Sequence, residues 1–140
     1  QEKFEDNMLY VRKYKEDELY RSSWEVRVMK YLDENDGVVW WASEEMNVKY
    51  ISPVDGRVHR YFPDFLVKFR TKDNKLSTMM LEVKPKKQTA QPDPQKRKTK
   101  QFINEVKTWG VNQAKWKAAS EYCLDRGWEF KLITEDHLGL

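Results

Sequence analysis

The apolar positions of this chain follow two rhythms. Between Ser22 and Asn35, Trp24, Val28, Tyr31 and Leu32 recur at i, i+4, i+7 and i+8, which predicts a helix. Asp33-Glu34-Asn35-Asp36-Gly37 supplies its stop, with Gly37 placed for a C-terminal cap. The pattern then changes to short runs rich in β-branched and aromatic residues: Val38–Trp41, Asn47–Ile51, Arg57–Phe62 and the strand that begins at Asp64. Pro53-Val54-Asp55-Gly56 is a turn between the second and third of these. Thr71-Lys72-Asp73-Asn74-Lys75 is polar and turn-forming, so the strand after Asp64 and the one through Met79–Lys84 should be antiparallel neighbours. Helical spacing returns over Arg97–Trp109, with Phe102, Ile103, Val106 and Trp109 on a stripe. A second helix is expected from Val111 to Asp125, with Ala114, Ala118, Ala119, Tyr122 and Cys123 buried and Arg126-Gly127 closing it. Trp128–Thr134 alternates as a last strand. Residues Gln1 to Tyr20 show no clear period and read as an irregular or partly helical arm, in which Tyr10–Lys15 interleaves aromatics with bases.

This order predicts an α/β fold in which a mixed, mostly antiparallel sheet is flanked by helices. At 140 residues the chain suits one domain with a real core. No apolar run reaches the roughly 20 residues needed to span a membrane, and no secretory signal stands at the N-terminus, so a cytosolic protein is expected. Cys123 is the only cysteine and His59 and His137 the only histidines, which excludes internal disulfides and any metal site built on several thiolates or imidazoles. His59, on an alternating strand, is expected to be exposed or to touch phosphate rather than act as a catalytic base.

The alternation of strands places chemistry. Glu82 and Lys84 project to one side of their strand while Leu81 and Val83 go to the other. Antiparallel pairing across the polar turn can bring Asp64 beside Glu82. Two carboxylates and a lysine converging at strand ends make a site for a hard divalent cation such as Mg²⁺, which takes carboxylate oxygens, waters and substrate phosphates. Glu25 lies on or beside the apolar stripe of the first helix, where an inward acid needs a partner. Ser22-x-x-Glu25 also matches a capping box, in which Glu25 would only bond back to the helix end.

Net charge is a modest +3, but its distribution is uneven. Lys84, Lys86, Lys87, Lys96, Arg97, Lys98 and Lys100 face one acid, Asp93, over the stretch from Lys84 to Lys100, so that stretch carries +6 and the rest of the chain −3 (3 − 6). A basic segment directly after the carboxylate strand is the electrostatic footprint of a phosphate backbone. Gln88–Gln95, with Pro92 and Pro94, reads as a loop that could cover a substrate.

Pro63-Asp64 ahead of one strand and Glu82-x-Lys84 ending the next resemble the PD-(D/E)xK nuclease signature. The matching stretches are Arg21–Glu25, Tyr61–Phe65, Leu81–Lys86 and the terminal pattern Lys115…Tyr122-Cys123…Gly127-Trp128-Glu129-Phe130…Ile133-Thr134. Taken in order they resemble the N-terminal endonuclease domain of TnsA-type transposition proteins, over about Tyr20 to Asp136, and within that group the head-completion nucleases of myovirus-type tailed phages. The resemblance implies a restriction-endonuclease-like core over residues 21–136, preceded by an arm (1–20) and carrying a basic loop (86–100) absent from a minimal core. It implies metal-dependent phosphodiester hydrolysis on double-stranded DNA with Mg²⁺, for which Mn²⁺ can substitute. Asp64 and Glu82 would be metal ligands with the Val83 carbonyl, Lys84 would position the attacking water, and Glu25 would hold a second metal or bridge through water. Lys86, Lys87, Lys96, Arg97, Lys98, Lys100 and Lys115 would contact DNA. The implied setting is the host cytoplasm or the virion, with DNA trimmed at a filled head and the capsid portal or other head-completion proteins as partners. Two rivals are a junction-resolving, repair or transposon-end endonuclease and a non-catalytic DNA-binding connector protein; clustered acids, which repel DNA unless a cation intervenes, argue against the second.

Overall fold

The structure, a computed structural model, describes residues 19–94 and 97–139, with backbone alone for 19–22. Helix α1 (Leu19–Glu34) leads into β1 (Val38–Ser43), β2 (Val48–Ile51), β3 (Val58–Tyr61), β4 (Phe65–Arg70) and β5 (Leu76–Val83). A single 3₁₀ turn (Lys86–Thr89), the long helix α2 (Lys100–Asp125), β6 (Glu129–Ile133) and the short α3 (Glu135–Leu138) complete it. The main sheet has the order β1-β4-β5-β6, and β2-β3 form a separate two-stranded ribbon. β1, β4 and β5 pair antiparallel, while β6 pairs parallel to β5 after the crossover through α2. This is the restriction-endonuclease-like α/β arrangement expected from the sequence.

The two faces of the sheet carry different cores. Trp24, Val28, Met29 and Leu32 of α1 pack on Val38, Trp41, Phe65, Val67, Leu81 and Val83. On the opposite face Met80 meets Trp116, Ala119 and Cys123 of α2, together with Val48, Tyr50 and Tyr61 of the ribbon. Strand alternation alone produces this division, since Leu81 and Val83 must face away from Met80 and Glu82.

Several boundaries differ from the sequence pattern for identifiable reasons. Helix α1 is already helical at Leu19, so Ser22 lies within the helix and not at its N-cap position; Leu19 and Tyr20, read as the end of the arm, belong to the helix. Its C-terminal end is held by Asn35, whose Oδ1 accepts the Gly37 N–H at 2.8 Å, not by a left-handed Gly37. Gly37 is needed for closeness instead: a Cβ there would stand 3.1 Å from Asn35 Oδ1.

The two helices expected over Arg97–Trp109 and Val111–Asp125 are one helix of 26 residues, capped by Thr99, whose side chain accepts the Phe102 N–H. Gly110 does not break it. A helical glycine costs only about 1 kcal/mol relative to alanine, and α2 continues one apolar face through Val111, Ala114, Ala118 and Tyr122. The end of α2 is as the sequence indicates. Gly127 has φ +72°, its N–H meets the Leu124 carbonyl, and the Trp128 N–H reaches back to Cys123 O at 2.8 Å, a Schellman closure. Trp128 is thereby spent on the cap, and β6 starts one residue later.

Among the described residues no helix is long and apolar enough to cross a membrane. The Tyr10–Lys15 stretch and Lys96 lie outside the described residues.

Candidate active site

The β4–β5 hairpin closes over the turn at residues 71–75, where the Thr71 N–H donates to Lys75 O and Asn74 adopts φ 62°, a left-handed conformation asparagine tolerates. Its register sets Phe65 opposite Leu81. One step further along, Asp64 therefore meets Glu82. Glu82 Oε1 accepts the Asp64 backbone N–H at 3.2 Å, and Asp64 Oδ2 accepts the Val83 N–H at 2.8 Å. Each carboxylate is fixed by the other's strand, so the pair is interlocked before any ligand arrives. Both are buried, Asp64 at 7% and Glu82 at 5% exposure. Lys84 is on the same face as Glu82, its ammonium 3.9 Å from Oε2, and its backbone is held by an N–H bond to Ile133 O of β6.

Burial and like charge dominate the electrostatics of Glu82 at this corner. Burial first, and then the charge of Asp64, push Glu82 up to about 8, against the opposing pull of Lys84, the Tyr61 hydroxyl and the Asp64 N–H. Tyr61 lies against the pair. Its own hydroxyl is raised far above the usual value, by burial above all and then by Glu82, and its oxygen has no hydrogen-bond partner of good geometry among the described residues. Two hard oxygen donors crowded into a low-dielectric corner, with the Lys84 ammonium 3.9 Å from Glu82 and the Tyr61 hydroxyl beside them, fit a hard divalent cation. Asp64, Glu82 and the Val83 carbonyl are the groups that would hold it. Among the described residues no three His, Cys, Asp or Glu side chains form a ready-made metal cluster. What the fold draws directly together is two carboxylates and a lysine.

The remaining residues singled out in the sequence fall into two groups. Glu25 is inward as expected, at 4% exposure on α1. Lys115 of α2 is half-buried, its ammonium 5.7 Å from the Tyr61 ring centre and 5.9 Å from that of Tyr50, within cation–π range. It thus joins the carboxylate corner through Tyr61. Lys87, Arg97, Lys98 and Lys100 are exposed, Lys100 being the first residue of α2. Lys86 is different: its ammonium pairs with Asp136 at 3.0 Å and its N–H donates to the Glu135 carboxylate at 2.6 Å, which ties the start of the basic loop to α3. The Asp136 partner raises the Lys86 ammonium above its ordinary value. His59 is exposed and bonded to Asp55 at 2.8 Å, and His137 Nδ1 accepts the Thr134 N–H at the start of α3.

Tyr61 is the site residue for which the sequence pattern indicates no role of its own. Its signal is nonetheless present: it ends a strand in step with His59 and stands just ahead of Phe62-Pro63-Asp64. A cleft of about 770 Å³ lies elsewhere, between α1 and the sheet, lined by Val28, Leu32, Val67, Leu81 and Leu138, and includes none of Asp64, Glu82 or Lys84. The carboxylate corner is at the strand ends rather than inside an enclosed pocket.

A restriction-endonuclease-like sheet with paired acids and a lysine at its strand ends defines a class, the nucleases built on this fold. The chain belongs to the TnsA-like endonuclease N-terminal family, whose family model matches residues 35–135. It is also similar to the head completion nuclease of Enterobacteria phage T4, 38% identical over 123 residues that cover 85% of this chain and 79% of that protein. No solved structure matches the chain.

Proposed function

We propose that this protein is a divalent-metal-dependent DNA endonuclease that trims packaged DNA during completion of a phage head. The interlocked Asp64–Glu82 pair with Lys84 on the same strand face carries this reading. Membership of an endonuclease family supports phosphodiester hydrolysis, and similarity to a head completion nuclease supports the biological setting. Double-stranded DNA is the proposed substrate, the capsid portal or other head-completion proteins the proposed partners, and the host cytoplasm or the virion the proposed place of action.

A bound Mg²⁺, or Mn²⁺ in its place, supplies an activated water and offsets charge on the attacked phosphate. The chain's own groups do the rest. Glu82, held by the Asp64 backbone N–H, and Asp64, held by the Val83 N–H, present their carboxylates without further rearrangement, which is the preorganisation that lowers a barrier. The Lys84 ammonium points into the same corner, where it can orient the water and balance the phosphate. Glu25, buried on α1, would be the acid for a second cation or a bridging water. Lys115 and the exposed bases Lys86, Lys87, Arg97, Lys98 and Lys100 are the groups that would meet the DNA backbone.

The test is cleavage of linear and supercoiled duplex with Mg²⁺, Mn²⁺ or EDTA, comparing wild type with Glu82→Ala and Lys84→Ala. Metal-dependent cutting that both substitutions abolish while DNA binding persists is the expected result. Wild type that binds DNA and cuts with neither metal would return the protein to the non-catalytic connector reading, and variants that cut as well as wild type would withdraw the assignment of the reaction to Glu82 and Lys84. The family match also favours a transposon-end enzyme as a second reading; preferential cutting of internal or branched DNA over linear ends would select it.

A further inference from the structure

The outer face of the β2–β3 ribbon takes no part in the corner described above. Val48, Tyr50 and Tyr61 turn inward onto α2, so alternation leaves Lys49, Ile51, Val58 and Arg60 on the outside. Antiparallel register sets Lys49 directly opposite Arg60 and Ile51 directly opposite Val58. Like charges directly opposite each other in a ladder repel and destabilise it. Neither base is in an ion pair among the described residues. Ile51 and Val58 are each 64% exposed. The ribbon therefore holds two uncompensated cations in fixed register, an arrangement that an anion would relieve.

Its place relative to the carboxylates is set by the chain. β3 ends at Tyr61 and runs through Phe62 and Pro63 into Asp64. Four residues fully extended reach about 14 Å, so the Arg60 Cα stands no farther than that from the Asp64 Cα. Along a duplex that is about four base pairs at 3.4 Å each.

We propose that Lys49 and Arg60 form a phosphate clamp that grips the DNA backbone within about four base pairs of the bond broken, with Ile51 and Val58 against the adjoining sugar surface. The proposal rests on the nuclease reading and adds a binding surface outside the basic loop. A duplex backbone is the occupant because its phosphates match the charge of the pair, and because the ribbon is continuous with the strand that delivers Asp64.

The test is a set of anisotropy titrations of a labelled duplex in EDTA over a range of NaCl concentrations. Wild type is compared with Lys49→Ala/Arg60→Ala and with Lys72→Ala/Lys75→Ala, which removes the same charge from the β4–β5 turn, at the end of β5 remote from Glu82. The clamp variant should show a log–log salt slope shallower by about 1.8, close to 0.9 for each phosphate no longer neutralised, while the turn variant keeps the wild-type slope. Lys49→Glu, which sets an acid opposite Arg60, should bind DNA more weakly yet melt no lower than wild type, separating recognition from folding. Equal slopes for the clamp and turn variants would overturn the proposal. So would an oligomer that Ile51→Ser/Val58→Ser dissociates while the clamp variant binds DNA normally, since the ribbon would then be a protein interface. Wild type that neither binds nor cuts DNA would remove the nuclease reading itself; wild type that cuts, with the clamp variant matching the turn variant, would remove the clamp alone.

Discussion

Strand β5 shows its two faces to two different tasks. Leu81 and Val83 go into the apolar cluster under α1, where Phe65 is fully buried and meets Trp41 edge to face at 5.7 Å. Between and beyond them Glu82 and Lys84 turn to the other side, into a corner with a second acid and a buried tyrosine hydroxyl. The first face stabilises by removing apolar surface from water. The second is stressed by burying like charges. One strand supports both because its backbone is anchored on both edges, by β4 and by β6, so the dry face can hold the charged face in place.

The comparison breaks most severely at Phe65. Phe65→Ala leaves a cavity in the dry face and should cost about 3–5 kcal/mol, read as a large fall in melting temperature and, with the backbone of Asp64 next to it loosened, a loss of cleavage as well.

On the charged face the sign reverses. Glu82 has its carboxyl raised from 4.5 to about 8 in the folded protein, so the folded state holds that proton more tightly than the unfolded chain does. Stability from this group is fully present at pH below about 4.5 and is lost as pH rises through about 8. Metal-free protein should therefore melt lower at the alkaline end of that window than at its acid end. Glu82→Gln should flatten the dependence and melt above wild type at the alkaline end, while abolishing cleavage. Thermal melts across the window in chelator, repeated with Mg²⁺, check this; a wild-type profile no steeper than that of the variant would show that the corner is not under charge stress.

The smallest effect lies in α2, behind the charged face. A Cβ at Gly110 would come no nearer than 3.8 Å to any neighbour, the atom approached being Pro53 Cγ. Gly110→Ala should raise stability by about 0.5–1 kcal/mol and leave cleavage unchanged, as a melt and an activity assay on the same preparation would show.

The parts of this molecule that sequence makes legible are those fixed by local rules. Asp64, Glu82 and Lys84 fall together because a turn and a two-residue period decide where strand side chains go. The closure of α2 at Gly127 is readable for a similar reason, since a left-handed residue after a helix leaves few alternatives. What escapes depends on distant partners. The helix across Gly110 continues because the ribbon and β5 offer its apolar face a surface, which no window centred on the glycine contains. The capping-box spacing at Ser22 is equally local, but the helix has already begun upstream. Lys86 looks like one base among seven; only the return of the chain at Glu135 and Asp136 engages it.

The parallel pairing of β6 has a consequence for the order in which the corner is assembled. Asp64 and Glu82 are brought together by a hairpin whose turn is short, whereas β6 joins by pairing Glu129 with Met79, fifty positions apart (129 − 79). Loop closure favours the near contact before the far one. The contact between the acids is therefore the one that loop closure favours, whereas the bond of Lys84 to Ile133 needs the crossover through α2. The placement of the lysine rests on a far contact and that of the two acids on a near one.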